Sequence, residues 1–289
     1  MFRRMMIAGV GLIGGSLALA ARKDGLAEEI IGFGRSEKNL RFAHRRGIID
    51  RILLDETQAP KDTDFLLIAT PVQAAVSTAA AFLPTLQPGC IVSDVGSVKS
   101  EIVLGMERLL PPNIAFVGAH PLAGGERWGA EAAKSDLFVN HRCILTPTHK
   151  TDAHALKKVV ALWRRVGARV EIMDPQVHDF VLGVTSHLPH VLVYALVNVL
   201  SRTRVPGIDL KSYCAGGFKD FTRIASSRPE LWRDICLMNR RAIGKALGDY
   251  IKNLEQLRRW IHDGRGALLE REFARANEIR GQIAQLPLI

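Results

Sequence analysis

The chain has 289 residues, 47% of them hydrophobic and 24% charged, and its formal net charge is +10. This length suits two domains of ordinary size, and the composition excludes a disordered or fibrous protein. The four cysteines lie far apart and form no C-x-x-C pair, which argues against a zinc site or a disulfide frame and favours a reducing, cytoplasmic location. The basic residues come as scattered pairs without an interleaved aromatic platform, so we expect small anionic ligands and no nucleic-acid partner.

The N-terminal segment could be a secretory signal peptide, because basic residues precede an apolar run and then small residues. Its glycines decide against this. Gly9, Gly11 and Gly14 form G-x-G-x-x-G between the apolar stretch MMIA and a predicted helix, LIGGSLALAARKDG. In that context the pattern is the dinucleotide fingerprint, in which a tight turn brings the pyrophosphate to a helix N-terminus. Leu12 and Ile13 begin this helix and are predicted to contribute to the same site.

The second predicted strand ends in a way that favours NADP over NAD. An acidic residue usually follows this strand in NAD-specific sites and binds the ribose 2′-hydroxyl. Here the stretch EIIGFGRS ends in Gly34, Arg35 and Ser36, with no acid before Glu37. Arg35 can pair with a 2′-phosphate, Ser36 can donate to it, and Gly34 leaves room. The alternative is that Arg35 points to solvent and both cofactors are accepted.

Further apolar runs follow with helical stretches between them, at 72–83, 98–109 and 151–166. The runs are DFLLIATP (64–71), CIVSDVGS (90–97), IAFVGAHP (114–121), RCILTPT (142–148) and ARVEIMD (168–174). This alternation predicts an α/β Rossmann-type fold with a doubly wound, mainly parallel sheet, whose ligands bind beyond the carboxyl ends of the strands. Thr70, Pro71, Ser97 and His120 all fall at such ends. A His-Pro pair is otherwise typical of a plain strand exit, so its place at this edge favours a function for His120.

After residue 173 the strand pattern stops, which predicts a dinucleotide-binding domain at 1–173 and an all-α domain at 174–289. The stretch 181–201 is apolar nearly all the way round, so as a helix it must be covered by a bundle or by a second subunit. We expect a homodimer through the helical half, although apolar helices also lie in monomer cores. We find no run of about 20 uninterrupted apolar residues, and so expect no membrane span. Amphipathic stretches at about 230–262 and 266–284 complete the domain, with Pro229 in a first helical turn.

The first polar cluster of the helical half is TSHLPH, which places Ser186, His187 and His190 within the apolar helix. Two histidines at i and i+3 could bind a metal, but no carboxylate or cysteine accompanies them, so we predict no metal site. Histidines with satisfied hydrogen bonds in a core are the alternative.

The second cluster is GGFKDFTRIASSRPELW (216–232), in which Lys219, Asp220 and Arg223 follow a Gly-Gly turn at helical spacing. Such charges could form an ordinary solvated helix face. The functional alternative is a cationic anchor for substrate carboxylates, for which the planar guanidinium of Arg223 is well suited.

Five motifs in this order give the chain a resemblance to the prephenate dehydrogenase family, including its arogenate and broad-specificity cyclohexadienyl members. They are GVGLIGGS (9–16), DVGSVK (94–99), GAHPLAGGE (118–126), SHLPH (186–190) and GFKDFTRIASSRPELW (217–232). The resemblance covers essentially the whole chain. One departure from the family pattern is Gly125, which stands where a Thr or Ser often precedes the glutamate. A glycine cannot make the supporting side-chain hydrogen bond of that Thr or Ser, but the reaction does not depend on it.

The resemblance implies oxidative decarboxylation of a dianionic substrate, prephenate or arogenate, with NADP or NAD. It implies that His120, with an ordinary histidine pKa of about 6.5, accepts the hydrogen bond of the substrate ring hydroxyl, which Ser97 shares. The remaining implied roles are a carboxylate anchor at Arg223, a pocket lining at His190, Ser186 and Trp232, and supporting or inter-subunit positions at Glu126, Lys219 and Asp220.

Two other functions stay open on the sequence. A reductase of imines or β-hydroxyacids also joins a Rossmann domain to a helical one, but it would normally use a lysine or another donor in the helical domain. A nucleotide-sensing protein would bind the cofactor without catalysis. The sequence also leaves open whether prephenate or arogenate is preferred.

Overall fold

In the computed structural model, which describes residues 1–125 and 127–286, the first half of the chain alternates strands with helices. The strands are β1 (Phe2–Ala8), β2 (Ala27–Phe33), β3 (Arg51–Leu53), β4 (Phe65–Ile68), β5 (Ile91–Asp94), β6 (Ala115–Val117), β7 (Ala119–Pro121), β8 (Arg142–Leu145) and β9 (Arg169–Ile172). The helices of this half are α1 (Leu12–Lys23), α2 (Glu37–Arg45), α3 (Ala75–Phe82), α4 (Ser100–Leu109) and α5 (Ala153–Arg165).

Six of these strands form one parallel sheet in the order β3-β2-β1-β4-β5-β6. β4, in the middle of the sheet, is apolar along its length because helices cover both faces, and every one of its residues is buried. The order reverses between β1 and β4, which is where ligands of doubly wound sheets bind. The predicted Rossmann-type fold is confirmed.

The stretch 114–121, predicted as one strand, is two strands in different sheets. β6 ends at Val117, and after Gly118 the chain enters β7, which pairs antiparallel with β8, while β8 pairs parallel with β9. The Gly118 carbonyl accepts a hydrogen bond from Thr146 N at 2.9 Å, so the backbone has already turned to the second sheet. His120 therefore lies within β7, opposite Ile144, rather than at the end of a long strand.

The sequence analysis missed α2 and β3. α2 buries only Leu40 and Ala43, and β3 has three residues, so neither carries a strong apolar pattern. The predicted helix at 72–83 is also shorter than expected, because it begins with a 3₁₀ turn, Val72–Ala74, before α3.

The second half of the described chain is helical, as predicted. Its helices are α6 (Pro175–Leu182), α7 (Leu188–Arg202), α8 (Gly216–Thr222), α9 (Pro229–Met238), α10 (Arg240–His262) and α11 (Gly266–Gln285). A π-helical turn, Gly183–His187, joins α6 to α7 without a break. The amphipathic stretch predicted at 230–262 is two helices, which meet at Asn239.

The run from α6 to α7, Pro175–Arg202, is 28 residues long with a mean hydropathy of 1.6 in its most apolar window. By length and composition alone this helix could cross a membrane, which is weak evidence because the core helix of a soluble protein passes the same test. Only 22% of that window is buried within the chain, and Phe180 and Val199 are 49% and 62% exposed.

Candidate active site

The glycine turn after β1 has room for a phosphate group. Gly9 has a φ of +105°, and a Cβ there would lie 2.4 Å from the carbonyl oxygen of Ala69, while a Cβ on Gly14 would lie 2.2 Å from that of Gly9. A Cβ on Gly11, by contrast, would meet no atom within 4 Å. Among the described residues no side chain caps α1, which begins at Leu12, so its first-turn N–H groups are available to an anion. The turn fits a dinucleotide pyrophosphate.

The loop after β2 carries an exposed guanidinium. Arg35 is exposed, and in the part of the chain that the structure describes its side chain makes no hydrogen bond or ion pair. Ser36 is the N-cap of α2, with its Oγ accepting a hydrogen bond from Asn39 N at 3.3 Å, and its hydroxyl hydrogen can still donate. The space where Gly34 would carry a Cβ holds only one side chain, 3.8 Å away.

Candidate site residues also follow β4 and β5, the two strands beside β1 on its other side. Thr70 and Pro71 come one residue after the end of β4, and Thr70 Oγ1 lies 3.4 Å from Thr78 Oγ1. Ser97 follows β5 and is partly buried. Among residues 1–125 and 127–286 its hydroxyl has no hydrogen-bond partner, so it is free to bind a ligand.

His120 is the first of three side chains joined by hydrogen bonds, which we call the His–His–Asp chain (His120, His178, Asp179). The Nδ1 of His120 lies 2.8 Å from the Nε2 of His178, and the Nδ1 of His178 lies 2.9 Å from an Asp179 carboxylate oxygen. His178 and Asp179 belong to α6, so the chain of hydrogen bonds joins the helical half to the sheet.

These hydrogen bonds fix the proton positions on both rings. A carboxylate accepts hydrogen bonds only, so the Nδ1 of His178 carries the proton that Asp179 receives. The Nε2 of a neutral His178 is then bare and accepts a hydrogen bond, so the Nδ1 of His120 must be the donor. The Nε2 of His120 is left with a free lone pair, which is the arrangement that a general base requires.

Burial keeps both histidines neutral. Loss of solvent, followed by the repulsion of His178 and Lys99, lowers the pKa of His120 well below 6.5, so this imidazole is more strongly perturbed than the ordinary histidine expected from the sequence. Burial also lowers the pKa of His178. Burial alone would raise the pKa of the Asp179 carboxyl, but hydrogen bonds from His178, Lys99 and Ser100 outweigh it and lower that pKa.

Asp179 also binds the sheet half directly. Its two carboxylate oxygens accept hydrogen bonds from the backbone N–H groups of Lys99 and Ser100, at 2.8 and 2.9 Å, at the start of α4. Its carbonyl accepts a hydrogen bond from the Asn239 side chain at 2.7 Å, and that amide also lies 3.1 Å from Nδ1 of His187. The orientation of the His–His–Asp chain therefore depends on contacts from α4 and from the junction of α9 and α10.

A second group of the predicted residues meets around Trp232. His190 stacks on the Trp232 ring, with 3.6 Å between ring centroids, and donates from Nδ1 to the Ser186 carbonyl at 2.9 Å. The Trp232 Nε1 is buried without a hydrogen-bond partner among the residues that the structure covers. Burial lowers the pKa of His190, as does, to a smaller extent, the charge of the exposed Arg223 nearby.

Three further predicted residues are described by the structure: two are exposed and one is buried. Lys219 and Asp220 are exposed on α8, and Glu126 lies outside the described residues. His187 is buried, which lowers its pKa to about 4. Over the described ranges, no group of three or more His, Cys, Asp or Glu side chains is placed to hold a metal ion.

The sequence analysis missed His178 and Asp179. They follow Pro175 in the first turns of α6, directly after the last strand, where the strand pattern ends. A His-Asp pair at the start of a helix is a weak signal, because only the fold shows that it faces a histidine 58 positions earlier.

Comparison with known protein families gives two matches in succession. The model described as prephenate dehydrogenase, nucleotide-binding domain, matches residues 17–172, and that described as prephenate dehydrogenase, dimerization domain, matches residues 174–275. The chain belongs to the prephenate dehydrogenase family.

Among individual members of the family, the chain is 36% identical over 283 residues to a cyclohexadienyl dehydrogenase from Zymomonas mobilis, covering 96% of this chain and 95% of that one. It is 36% identical over 277 residues to a prephenate dehydrogenase from Bacillus subtilis, covering 96% and 75%. A solved prephenate dehydrogenase from Aquifex aeolicus, in complex with hydroxyphenyl propionate and NAD⁺, superposes with a TM-score of 0.93 at 37% identity, covering 98% of this chain and 99% of that one.

The His–His–Asp chain predicts a single tautomer of His120 in the ligand-free protein. ¹⁵N NMR above pH 7 should show a protonated Nδ1 and a bare Nε2. His178→Leu removes the acceptor, so His120 should shift toward the Nε2-protonated form; His178→Gln keeps an acceptor oxygen in reach and should preserve the original form. A wild-type spectrum with a protonated Nε2 would contradict the assignment.

Proposed function

We propose that the protein catalyses the oxidative decarboxylation of prephenate and/or arogenate, to 4-hydroxyphenylpyruvate or tyrosine, with NADP or NAD, in tyrosine biosynthesis. The observation that carries the proposal is a neutral His120 with a bare Nε2, held beyond the carboxyl ends of the strands that follow the glycine turn. The relatives named for prephenate, cyclohexadienyl and arogenate dehydrogenation support it.

In this reaction the bound nicotinamide supplies the hydride acceptor. His120 takes the proton of the hydroxyl at ring C4 as hydride leaves that carbon, and Ser97 shares the hydroxyl. Loss of CO2 from C1 then makes the ring aromatic and leaves charge on the same oxygen, which recovers the proton from His120. Aromatisation provides the thermodynamic drive, so the residues mainly orient the substrate and hold one proton.

The group around Trp232 supplies the proposed binding end of the pocket. Arg223 and Lys219 carry positive charge to a dianionic substrate, with Arg223 as the carboxylate anchor. His190 and Ser186 line the side-chain end, where the buried Trp232 N–H is a further donor. This division keeps the substrate anions away from the neutral base.

The reductase alternative finds less support. It would need a lysine or a similar donor in the helical half, but the buried lysine among the described residues is Lys99, which lies in the first half and pairs with Asp94. For a nucleotide sensor without catalysis, the hydrogen bonds that fix the His120 tautomer would have no purpose.

We also propose NADP as the preferred cofactor. Glu37, the first acid after β2, is engaged by Arg41, whose Nε lies 2.8 Å from its carboxylate. Arg35 is exposed without an ion-pair partner in the described chain. An acid neutralised by its neighbour, beside a free guanidinium, suits a 2′-phosphate better than a ribose diol.

The helical half, which we assign to 174–289 beside a cofactor domain at 1–173, is proposed to join two copies of the chain in the cytoplasm. α11 has no buried residue within the described chain, and Phe273 on it is 56% exposed. Val199, on α7, is 62% exposed. Apolar area of this kind on a helix is normally covered by another subunit, and the match to a dimerization domain supports this assembly.

The test of the proposed activity is steady-state turnover of prephenate and arogenate with each cofactor, followed by the absorbance of the reduced nicotinamide. His120→Asn should lower kcat by about 10²–10⁴ with little change in KM, because a positioned base contributes about that much. His154→Asn, on the exposed face of α5, is the control and should match the wild type. A loss below about fivefold would remove His120 from the role of base.

Arg35→Ala should weaken NADP use selectively and bring kcat/KM for the two cofactors closer together, because it removes the partner of the 2′-phosphate. Arg46→Ala, at the other end of α2, is the matched control and should leave the cofactor ratio unchanged. A wild-type kcat/KM for NAD equal to or above that for NADP would show this proposal to be wrong.

Light scattering after size exclusion should give a dimer mass at micromolar concentration. Phe273→Glu should shift the mass toward the monomer, because it places charge on an apolar contact. Leu54→Glu, on an apolar residue of the first half that is 54% exposed, should leave the dimer intact. A wild-type monomer mass would refute the proposed assembly.

A further inference from the structure

A fully buried ion pair lies beneath the candidate site. Lys99 and Asp94 are both 0% exposed, and the Lys99 ammonium contacts a carboxylate oxygen of Asp94. Taking two charges out of water is costly unless further hydrogen bonds satisfy them. Those hydrogen bonds therefore indicate what the pair holds in place.

The further hydrogen bonds converge on Ala119, the residue before His120. Asp94 Oδ1 accepts a hydrogen bond from Ala119 N at 3.2 Å, and the Lys99 Nζ donates to the Ala119 carbonyl at 2.7 Å. The other Asp94 oxygen accepts from Gly96 N at 2.8 Å. The two side chains thus satisfy both backbone polar groups of one residue in β7.

These contacts replace a missing strand. β7 pairs with β8 on one side, while on its other side β5 has already ended at Asp94. Successive residues of a strand direct their N–H and C=O groups to alternate sides, so those of Ala119 would be unpaired at this edge. Buried unpaired backbone groups are rare because each carries a penalty comparable to a lost hydrogen bond.

We propose that Asp94 and Lys99 are positioning residues for the reaction, which set the place of His120 relative to Ser97. The pair fixes the start of β7 from one side, and Ser97 lies in the turn between the two residues of the pair. The inference rests on the proposed function of His120 as the base. In addition, one ion pair fixes the positions of His120 and Ser97 relative to each other, without contacting substrate or cofactor.

The charge of Lys99 also helps to keep His120 neutral, in addition to the hydrogen bond by which Lys99 holds the neighbouring backbone. The groups facing His120 are His178, Lys99 and His187, and each disfavours protonation of the imidazole. Removing Lys99 would leave the buried Asp94 carboxylate without its counter-ion, which is strongly destabilising. A test therefore needs a variant in which neither charge remains.

The test compares Lys99→Met with the double variant Asp94→Asn/Lys99→Met, which leaves no buried charge. Both should lower kcat by about 10–10²-fold, because displacement of a reacting group by about 1 Å can cost 10²-fold. KM for the cofactor should stay within about threefold, because the glycine turn is untouched. In ligand-free protein, the ¹⁵N signals of His120 and His178 should lose the pattern of a fixed hydrogen bond.

Arg4→Met is the matched control, since Arg4 pairs with Glu29 and Asp62 near the opposite end of the same sheet; it should lower the melting temperature without lowering kcat. A folded double variant with wild-type kcat and unchanged histidine signals would overturn the proposal. If the wild type does not turn over prephenate, the proposed function fails, and the histidine signals of the ligand-free double variant still decide whether the pair positions His120.

Discussion

The hydrogen bond between His120 and His178, 2.8 Å long, is the interaction on which the candidate site depends. One ring belongs to a strand of the cofactor-binding half and the other to the first helix of the helical half, so the proposed base is complete only when the two halves are docked. Asp179 makes the arrangement directional, because its carboxylate accepts the His178 proton and so leaves a lone pair on the outer nitrogen of His120.

The Asp179 carboxylate joins the two halves at a second place. Asp179 accepts hydrogen bonds from the first backbone N–H groups of α4, so one carboxylate caps a helix of the sheet half and orients a histidine of its own helix. Removing that side chain would therefore disturb both halves. A polar network of this kind is favourable only when every member has its hydrogen-bond partners. Replacing one of these side chains would therefore leave another without a partner.

Much of this could be predicted from the sequence. The glycine fingerprint, the apolar strands and the helical second half were recognisable because each depends on local spacing. His120 and Ser97 were predicted as site residues because both come at the ends of apolar runs that read as strands of one sheet. The change of sheet at Gly118 was not predictable, since β6 and β7 read as one apolar run. The contact of His178 with His120 and that of Lys99 with Ala119 were not predicted for a related reason: the partners lie 58 and 20 positions away in the chain, which no periodic pattern records.

The most direct test of the account is the dependence of kcat/KM for prephenate on pH. The proposed reaction requires neutral His120, so its rate should fall as pH drops through the pKa of that imidazole in the free enzyme. Burial and the neighbouring charges lower this pKa well below 6.5, and the acid limb of the profile should accordingly lie well below 6.5. An acid limb at or above 6.5 would contradict a buried, neutral base held by His178.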